Sequence, residues 1–510
     1  MMDFDQTAPR VLQTPDRSRQ AQTLDHPDSP VQPAPQHGDA LVFETVELAS
    51  EAQRQSPKAA TAVNNLMAFL VALFLVLIPI PYGANTALAW MAATVALALM
   101  LAGYLLAILY VDPGRPLQFA RARWLFWSVG LILLGVALQL LPIWGGLGAV
   151  WHGLPDSLHP VTASFSPTAT GLGLIRLASY GVLFVLVLEI GTNRYRVERL
   201  LFWIYCGIVA HAIWGLMSLT FFGDTLLFGP KTAYKGVATG TFINRNSFAT
   251  YLAFGLVIGT ARLWVQMRGP RARSPRLRSS YQGLTLDSLV HLVWLMVVLA
   301  ALFATGSRLG LMVGLLGIVS VTVLVLLKTG MTAARVALVC GIGGLGLALG
   351  AVLLMGRDVT AERLVYSFVD SRHRLQLFSQ TWDMILARPW LGYGLDSFPL
   401  AFEMFHQPAL RMDRTWAQPH NSYLTLWAEL GLPLGTVVIG VQIAVLIVLI
   451  RAIRRRELAY LPAVVAVAVM AVAAAHSLGD FSLEIAANTY LYVTLIALGL
   501  ARRSYSRGTS

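Results

Sequence analysis

The chain has 510 residues, of which 56% are hydrophobic and only 13% are charged. These proportions exclude a soluble globular protein and indicate a polytopic membrane protein. In a soluble protein the formal net charge of +12 would suggest a nucleic-acid partner. Here the positions of the basic residues give a simpler explanation, and no nucleic-acid partner is predicted.

Residues 1–60 contain no apolar run and are rich in Gln, Pro, Asp and Ser, so they are predicted to form a disordered cytoplasmic tail. Because a membrane-spanning helix needs about 20 apolar residues, the remainder is predicted to cross a membrane about twelve times. The expected fold class is therefore all-α. The predicted spans are 63–81, 86–111, 124–143, 171–191, 200–222, 246–266, 287–304, 309–327, 336–356, 421–450, 460–478 and 486–501.

These spans divide the chain into helices 1–9 within 61–356, one large loop at 357–420, helices 10–12 within 421–501, and a short tail at 502–510. Lys and Arg favour cytoplasmic loops, and alternate short loops of this chain are basic. Both termini are therefore predicted to be cytoplasmic, and the large loop periplasmic.

The remaining basic residues outside the spans fall on the outer side, where this rule disfavours them. An anionic ligand on the outer face would explain them, and pairing with acidic residues of the large loop is the alternative. These residues are Lys231, Lys235, Arg245, Arg308, Arg357, Arg363, Arg372, Arg374, Arg388, Arg411 and Arg414.

Three outer arginines stand out by position. Arg245 immediately precedes a span and is flanked by Asn and Ser residues that can cap a helix. Arg308 lies in a very short hairpin, and Arg374 opens an amphipathic segment that leads to Arg388. The alternative is that they extend toward lipid headgroups, which suits Arg308 better than Arg245.

His420 lies where the long polar loop ends and an apolar helix begins. An imidazole at this membrane surface can accept a proton near neutral pH, as activation of a hydroxyl group requires. The alternative is an incidental histidine beside a helix N-terminus that Asn421 or Ser422 caps. Glu429 lies just over two helical turns further on, where helix-end packing is the alternative to a role in the site.

Other chemistry is not indicated by the sequence. Cys206 and Cys340 both fall within predicted spans, so neither a disulfide framework nor a thiolate metal site is expected. The histidines have no metal-ligand spacing, and no Gly-rich loop fits a nucleotide phosphate. We therefore predict no metal site and no cofactor. His476 and Asp480, on the outer side of the last pair of spans, are further candidates for contact with substrate.

From about residue 200 to 500 the chain resembles the O-antigen ligase and polysaccharide polymerase superfamily of bacterial envelopes, and is most similar to its exopolysaccharide polymerase-like members. The order of the motifs carries the resemblance. They are G-T-F-I-N-R-N at 240–246, S-R at 307–308, R-P-W-L-G-Y-G at 388–394, P-H-N-S-Y-L-T-L-W-A-E-L-G at 419–431 and H-S-L-G-D-F-S at 476–482. An R-x5-W-like spacing begins at Arg374. Phe378 and Ser379 depart from the family pattern there, since family members often have a Trp soon after this Arg.

The resemblance implies an inverting, metal-independent glycosyltransferase of the bacterial inner membrane, with its active site on the periplasmic side. Its donor would be a polyprenyl-diphosphate-linked oligosaccharide, and its acceptor a glycan or lipid A-core. Carried over by motif, His420 would be catalytic, and Arg245, Arg308 and Arg374 would bind the diphosphate. Possible further contacts are Arg372, Lys235, Asn421, Glu429, His476 and Asp480.

Two other functions also fit the sequence. About twelve helices also suit a transporter or a flippase for lipid-linked glycans, although the chain has few charges in its spans, chiefly Arg176, Glu189 and Arg262. A glycan-binding protein without catalysis is the other. The choice between ligase and polymerase is not fixed by these residues.

Overall fold

The computed structural model describes residues 58–115, 117–143, 161–267, 285–328, 332, 361–408, 410, 415–455 and 460–501, apart from the side chains of 121 and of 361–371. The predicted span 336–356, nearly all of the predicted tail 1–60 and the end of the chain at 502–510 lie outside these ranges.

The described residues are mainly helical. In chain order the helices are α1 (Lys58–Leu77), α2 (Ala87–Val111), α3 (Arg123–Leu138), α4 (Pro167–Ile190), α5 (Arg194–Thr220), α6 (Arg245–Met267), α7 (Leu286–Ala304), α8 (Arg308–Lys328), α9 (Ala361–Ala387), α10 (Phe398–Phe402), α11 (Ser422–Arg455), α12 (Leu461–His476) and α13 (Ala486–Leu500). Short 3₁₀ turns occupy Tyr82–Ala84, Gln118–Ala122 and Ser482–Glu484.

The apolar runs account for most of these helices. Eight of them in the described part of the chain are long and apolar enough to cross a membrane, and α3, α12 and α13 are shorter apolar helices. Each predicted span within the described ranges coincides with one helix, with shifts of a few residues at the ends. The protein is therefore a multi-pass helical membrane protein, and the total of twelve spans stays a prediction.

A small β-ribbon between α5 and α6 departs from the all-α expectation. Strand β1 (Thr225–Leu226) pairs with β2 (Gly229–Pro230) in antiparallel register. The chain reverses after α5 through Gly223 and Asp224, whose φ angles are 69° and 56°. A two-residue strand is too short to leave an alternating pattern in the sequence.

Helix α6 lies at the centre of the bundle and packs against α5, α7, α8 and α12. Every residue from Ser247 to Ala261 is buried, as expected for a helix that is apolar on all sides. Arg245 begins this central helix. Its position is therefore fixed by the most buried element of the fold.

Helix α11 is broken at Gly431, which has φ 75° and ψ 165°, and Pro433 follows within the next turn. Residues 388–394 lie against this break and, with 428–432, form a backbone pairing that we call the clasp. Tyr393 N donates to Ala428 O at 2.9 Å, and Leu432 N donates to Pro389 O at 2.7 Å. The clasp thus supplies partners for backbone groups that the broken helix leaves unpaired.

Two further polar contacts hold the clasp to the bundle. Gln139, at the end of α3, donates to the carbonyl oxygens of Leu391 and Glu429 at 2.8 and 2.9 Å. Arg176 of α4 forms an ion pair with Asp396 at 2.7 Å. Arg176 was one of the few charges predicted within a span, and this pairing gives it a structural partner.

Candidate active site

The segment His476–Ser482, which follows α12, joins the elements that carry the predicted site residues. Its backbone receives bonds from the start of α11: Ser422 N donates to Ser477 O at 3.0 Å, and Asn421 Nδ2 donates to Leu478 O at 3.1 Å. Arg374 of α9 donates from Nη1 to Gly479 O at 3.0 Å. The loop between α12 and α13 therefore brings Arg374 of α9 and the start of α11 together at His476–Ser482. We call this place the corner.

His420 lies at this corner, directly before α11. Asn421 caps the helix, since its Oδ1 accepts from the backbone N of Tyr423 and Leu424 at 3.0 and 3.2 Å. His420 itself has φ 56°, in the left-handed region that non-glycine residues rarely adopt. This conformation places its ring edge-on to Phe481, with ring centroids 5.0 Å apart. Asn421 is thus the cap, and His420 has a separate, constrained position.

His420 faces a buried carboxylate. Its Nδ1 lies 3.6 Å from Asp480 Oδ1, and the His420 side chain is 26% exposed whereas that of Asp480 is fully buried. This distance is slightly longer than a hydrogen bond, and catalytic pairs are often long before substrate binds. The imidazole is therefore partly exposed on one side and faces a buried carboxylate on the other.

Asp480 is surrounded by donors. Ser482 Oγ donates to Oδ2, Asn246 Nδ2 of α6 lies 3.4 Å from Oδ1, and His476 Nδ1 lies 3.7 Å from Oδ2. Burial raises the pKa of Asp480, but His420, His476 and the Ser482 hydroxyl outweigh this and hold the pKa below its usual value. Asp480 is therefore an anion at neutral pH.

His476 is buried at the end of α12, where its Nδ1 is 3.1 Å from Thr250 Oγ1 of α6. The structure thus places both His476 and Asp480 beside His420. His476 lies on the inner side of the carboxylate, whereas His420 is the one of the two that is accessible.

Arg245, Arg308 and Arg374 are found around the same corner. Arg374 contacts Gly479, and Leu309, next to Arg308, approaches Gly479 so closely that a Cβ built there would lie 3.0 Å from the leucine side chain. Arg245 Nη1 lies 3.5 Å from a Cβ built on Gly306, in the hairpin that holds Arg308. The structure therefore brings the three arginines to one end of the bundle through shared neighbours.

The arginines differ in their surroundings. Arg308 is exposed and Arg245 is half-buried, with its guanidinium 5.7 Å from the Tyr234 ring. Arg245 Nε is buried without a hydrogen-bond partner among the described residues. Such an unpaired cationic donor favours an anionic ligand. Of the secondary candidates, Arg372 and Lys235 are both exposed.

Glu429 is placed elsewhere. It is buried in the clasp, where its Oε1 accepts from the backbone N of Phe398 at 3.2 Å. It lies nine positions after His420, about two turns into α11. Its position agrees with helix-end packing, the alternative given for it from the sequence.

The sequence reasoning missed Asn246, Ser482 and Glu484. The first two contact Asp480 and belong to motifs that were already noted at 240–246 and 476–482. Glu484 has both carboxylate oxygens buried, and burial raises its pKa to about 8, against the lowering effect of the Thr425 and Ser422 hydroxyls. Its signal was a second acidic residue, after Asp480, in a short connection between two apolar helices.

No group of three or more His, Cys, Asp and Glu side chains within the described ranges is arranged to hold a metal ion. The cluster of His420, His476 and Asp480 instead consists of two imidazoles whose Nδ1 atoms lie 3.6 and 3.7 Å from one carboxylate. It can take up and orient a proton, and the neighbouring guanidinium groups can bind an anion.

Residues 291–439 match a family whose model is described as O-antigen ligase. This chain carries an O-antigen ligase domain. The matched region runs from within α7 to within α11, and it contains Arg308, Arg374 and His420. The resemblance to the O-antigen ligase and polymerase superfamily is therefore confirmed.

The O-antigen ligase match implies a membrane enzyme that acts in polysaccharide biosynthesis, with a lipid-linked glycan and a glycan acceptor as substrates. Arg245, His476 and Asp480 lie outside the matched residues, and the structure alone brings them to the corner. No curated protein matches the chain.

Proposed function

We propose that the protein is an inverting membrane glycosyltransferase that transfers a glycan from a polyprenyl-diphosphate donor to a hydroxyl acceptor at the periplasmic face. It would be exopolysaccharide polymerase-like and would act in the bacterial inner membrane. The observation that carries the proposal is the pairing of accessible His420 with buried Asp480, beside Arg374.

His420 would act as the general base. With Nδ1 turned toward Asp480, the proton is held on that nitrogen and the lone pair of Nε2 is available to the acceptor hydroxyl. As the hydroxyl oxygen attacks the anomeric carbon, its proton passes to Nε2, and the bond from that carbon to the diphosphate oxygen breaks. The single displacement inverts the anomeric centre, and Asp480 stabilises the imidazolium that forms.

Arg245, Arg308 and Arg374 would stabilise the departing diphosphate. Guanidinium groups can bind phosphate oxygens in pairs and need no divalent cation to neutralise the charge that develops. The unpaired Nε of Arg245 supports an anion at this end of the bundle. Arg372 and Lys235, which are exposed nearby in the chain, are the candidates for contact with the rest of the donor.

The transporter alternative is weakened by the partners of the charges within the spans. Arg176 pairs with Asp396, and Arg262 donates to His291 at 3.3 Å and lies 4.9 Å from the Phe202 ring. Because these charges have partners within the protein, a transported ion is not needed to explain them.

The reaction is tested with purified protein and a lipid-linked oligosaccharide in the presence of EDTA. The proposal predicts longer glycan or glycosylated acceptor together with an equal amount of released polyprenyl diphosphate. Movement of intact donor across a vesicle without its consumption would favour a flippase. A strict requirement for a divalent ion would replace the arginine-only account of leaving-group stabilisation.

The sidedness is tested by cysteine labelling with a membrane-impermeant reagent after Cys206 and Cys340 are replaced. Ser371→Cys, in the predicted periplasmic loop, should react in intact cells. Ser279→Cys, in a predicted cytoplasmic loop, should react only after the membrane is opened. Labelling of Ser279→Cys from outside would contradict the proposed orientation.

A further inference from the structure

Helix α9 is apolar on two opposite faces. Its inner face, with Leu377, Met384 and Ile385, is completely buried against residues that include Phe398, Phe402 and Ala428. Its outer face is exposed along Leu375, Ser379, Trp382 and Leu386, a spacing that aligns side chains on one side of a helix. We call these four residues the outer stripe.

The outer stripe is more apolar than a water-facing surface requires. Leu375 is 67% exposed, Leu386 is 56% exposed, and Trp390, just beyond the helix, is 76% exposed. A run of large apolar side chains on one helix face marks a surface that another apolar phase covers.

The outer stripe is continuous with the exposed side of α11. Trp382 packs edge-on against Trp427, with ring centroids 6.2 Å apart. Trp427 Nε1 in turn donates to Thr436 Oγ1 at 3.2 Å. Thr436 begins an exposed line along α11 that continues through Gly440, Ile443 and Ile447. This line lies on a helix long and apolar enough to span a membrane.

The break at Gly431 indicates where the contact between α9 and α11 lies relative to the hydrocarbon core. From Leu432 to the end of α11 at Arg455 the helix is long enough, at about 1.5 Å per residue, to cross a hydrocarbon core of about 30 Å. Trp390 lies at the break, because a Cβ built on Gly431 would be 2.5 Å from Trp390 O. Trp427, which contacts Trp382, precedes the break by about one turn. Trp is enriched at the level where a helix leaves the hydrocarbon.

We propose that α9 is an interfacial helix whose outer stripe is inserted among the phospholipids of the leaflet on the His420 side of the membrane. Its inner face packs on the clasp region while its outer face contacts acyl chains, as in amphipathic helices that lie in the interface plane. Arg374 is on this helix, one residue before the first member of the stripe. The bilayer would therefore fix the height of the predicted diphosphate site relative to the lipid headgroups.

The test uses spin labels at Leu375→Cys and Leu386→Cys in full-length protein without Cys206 and Cys340, reconstituted in phospholipid nanodiscs. Thr232→Cys, in the exposed loop before α6, is the water-facing control. Collisions with oxygen, which concentrates among acyl chains, are compared with collisions with a polar nickel chelate, which stays in water. The ratio of oxygen to nickel collisions should be several-fold higher at both stripe positions than at Thr232→Cys.

Two results would overturn the proposal. Equal ratios at the stripe and at Thr232→Cys would place the stripe in water. Protection of the stripe labels from both reagents would mean that protein covers it, such as a second copy of the chain. Neither result depends on glycan transfer, so the proposed function and this inference can fail separately.

Discussion

The clasp and the His420 corner are both dense in motif residues, but they satisfy their polar groups differently. In the clasp, backbone donors and acceptors meet each other at 2.7–2.9 Å across a broken helix. At the corner, His420 Nδ1, His476 Nε2 and Arg245 Nε are buried with no hydrogen-bond partner among the described residues. Backbone groups paired in this way indicate architecture, whereas side-chain groups left open beside a partly exposed histidine indicate a place for a ligand.

The arginines of the two regions differ in their burial. Arg388, the first residue of the clasp, is buried and stacks on Phe165 and Tyr393 with its guanidinium 5.5 and 4.9 Å from the ring centres. Burial lowers the pKa of Arg388 to about 10. Arg308, at the corner end of the bundle, is exposed instead. An arginine predicted on the outer side can therefore belong to the clasp or to the corner. Only its surroundings in the structure show which role it has.

The largest effect on stability should come from the clasp. Gly392 has φ 67°, and a Cβ at this position would lie 2.4 Å from Glu429 O. Gly392→Ala should therefore destabilise the fold by about 2–6 kcal/mol, from backbone strain and overpacking together. The measurement is thermal unfolding in detergent. Gly440→Ala on α11 is the control, because a Cβ there meets nothing within 4 Å, and equal melting temperatures for the two variants would disprove a rigid clasp.

Glycan transfer should depend on the guanidinium geometry of the corner arginines and not only on their charge. Lys keeps the positive charge but cannot form the paired contacts of a guanidinium group. Arg245→Lys, Arg308→Lys and Arg374→Lys should each lower the rate of glycan transfer nearly as much as replacement by Ala. Rates are measured per folded molecule with a lipid-linked donor. Full activity in all three Lys variants would show that they only extend to headgroups.

The sequence predicts features that depend on neighbouring residues better than features that depend on contacts between distant positions of the chain. Apolar runs set the helices locally, so eleven predicted spans coincide with helices in the described ranges. The cap at Asn421 was likewise readable from adjacent residues. His420 and Asp480 are 60 positions apart in the sequence. Their pairing could not be predicted, because neither residue type indicates the other as its partner.

The clasp was harder to predict, because its residues were interpreted as part of a polar loop. The positive φ of Gly392 and the break at Gly431 depend on close contact between distant backbones. Glu429 therefore looked like a candidate for the site, although its carboxylate accepts from Phe398 N. Glu484 was passed over because nothing adjacent in sequence shows that both its oxygens are buried.

The smallest expected effect concerns Glu484. Because its pKa is raised to about 8, the folded protein keeps a proton that the unfolded chain releases at lower pH. Stability should therefore fall as pH rises from about 4.5 to about 8. Glu484→Gln has no proton to lose and should show a weaker decline in melting temperature over this range. Parallel decline in both proteins would mean that other groups cause it.

In the proposed mechanism His420 takes the proton of the acceptor, while the surrounding residues of the corner only bind and orient the substrates. His420→Ala should therefore reach the membrane at the normal level and bind lipid-linked donor as the unmutated protein does. Tyr423→Phe, in the first turn of the same helix, is the matched control, and it should transfer glycan at a near-normal rate.

The decisive measurement is the rate of glycan transfer by purified His420→Ala with EDTA present, alongside donor binding by the same preparation. Donor binding should be retained, and the transfer rate should fall by roughly 10²–10⁴-fold, the contribution of a general base. Normal transfer by His420→Ala would contradict this mechanism and would move the proton-accepting role to another residue.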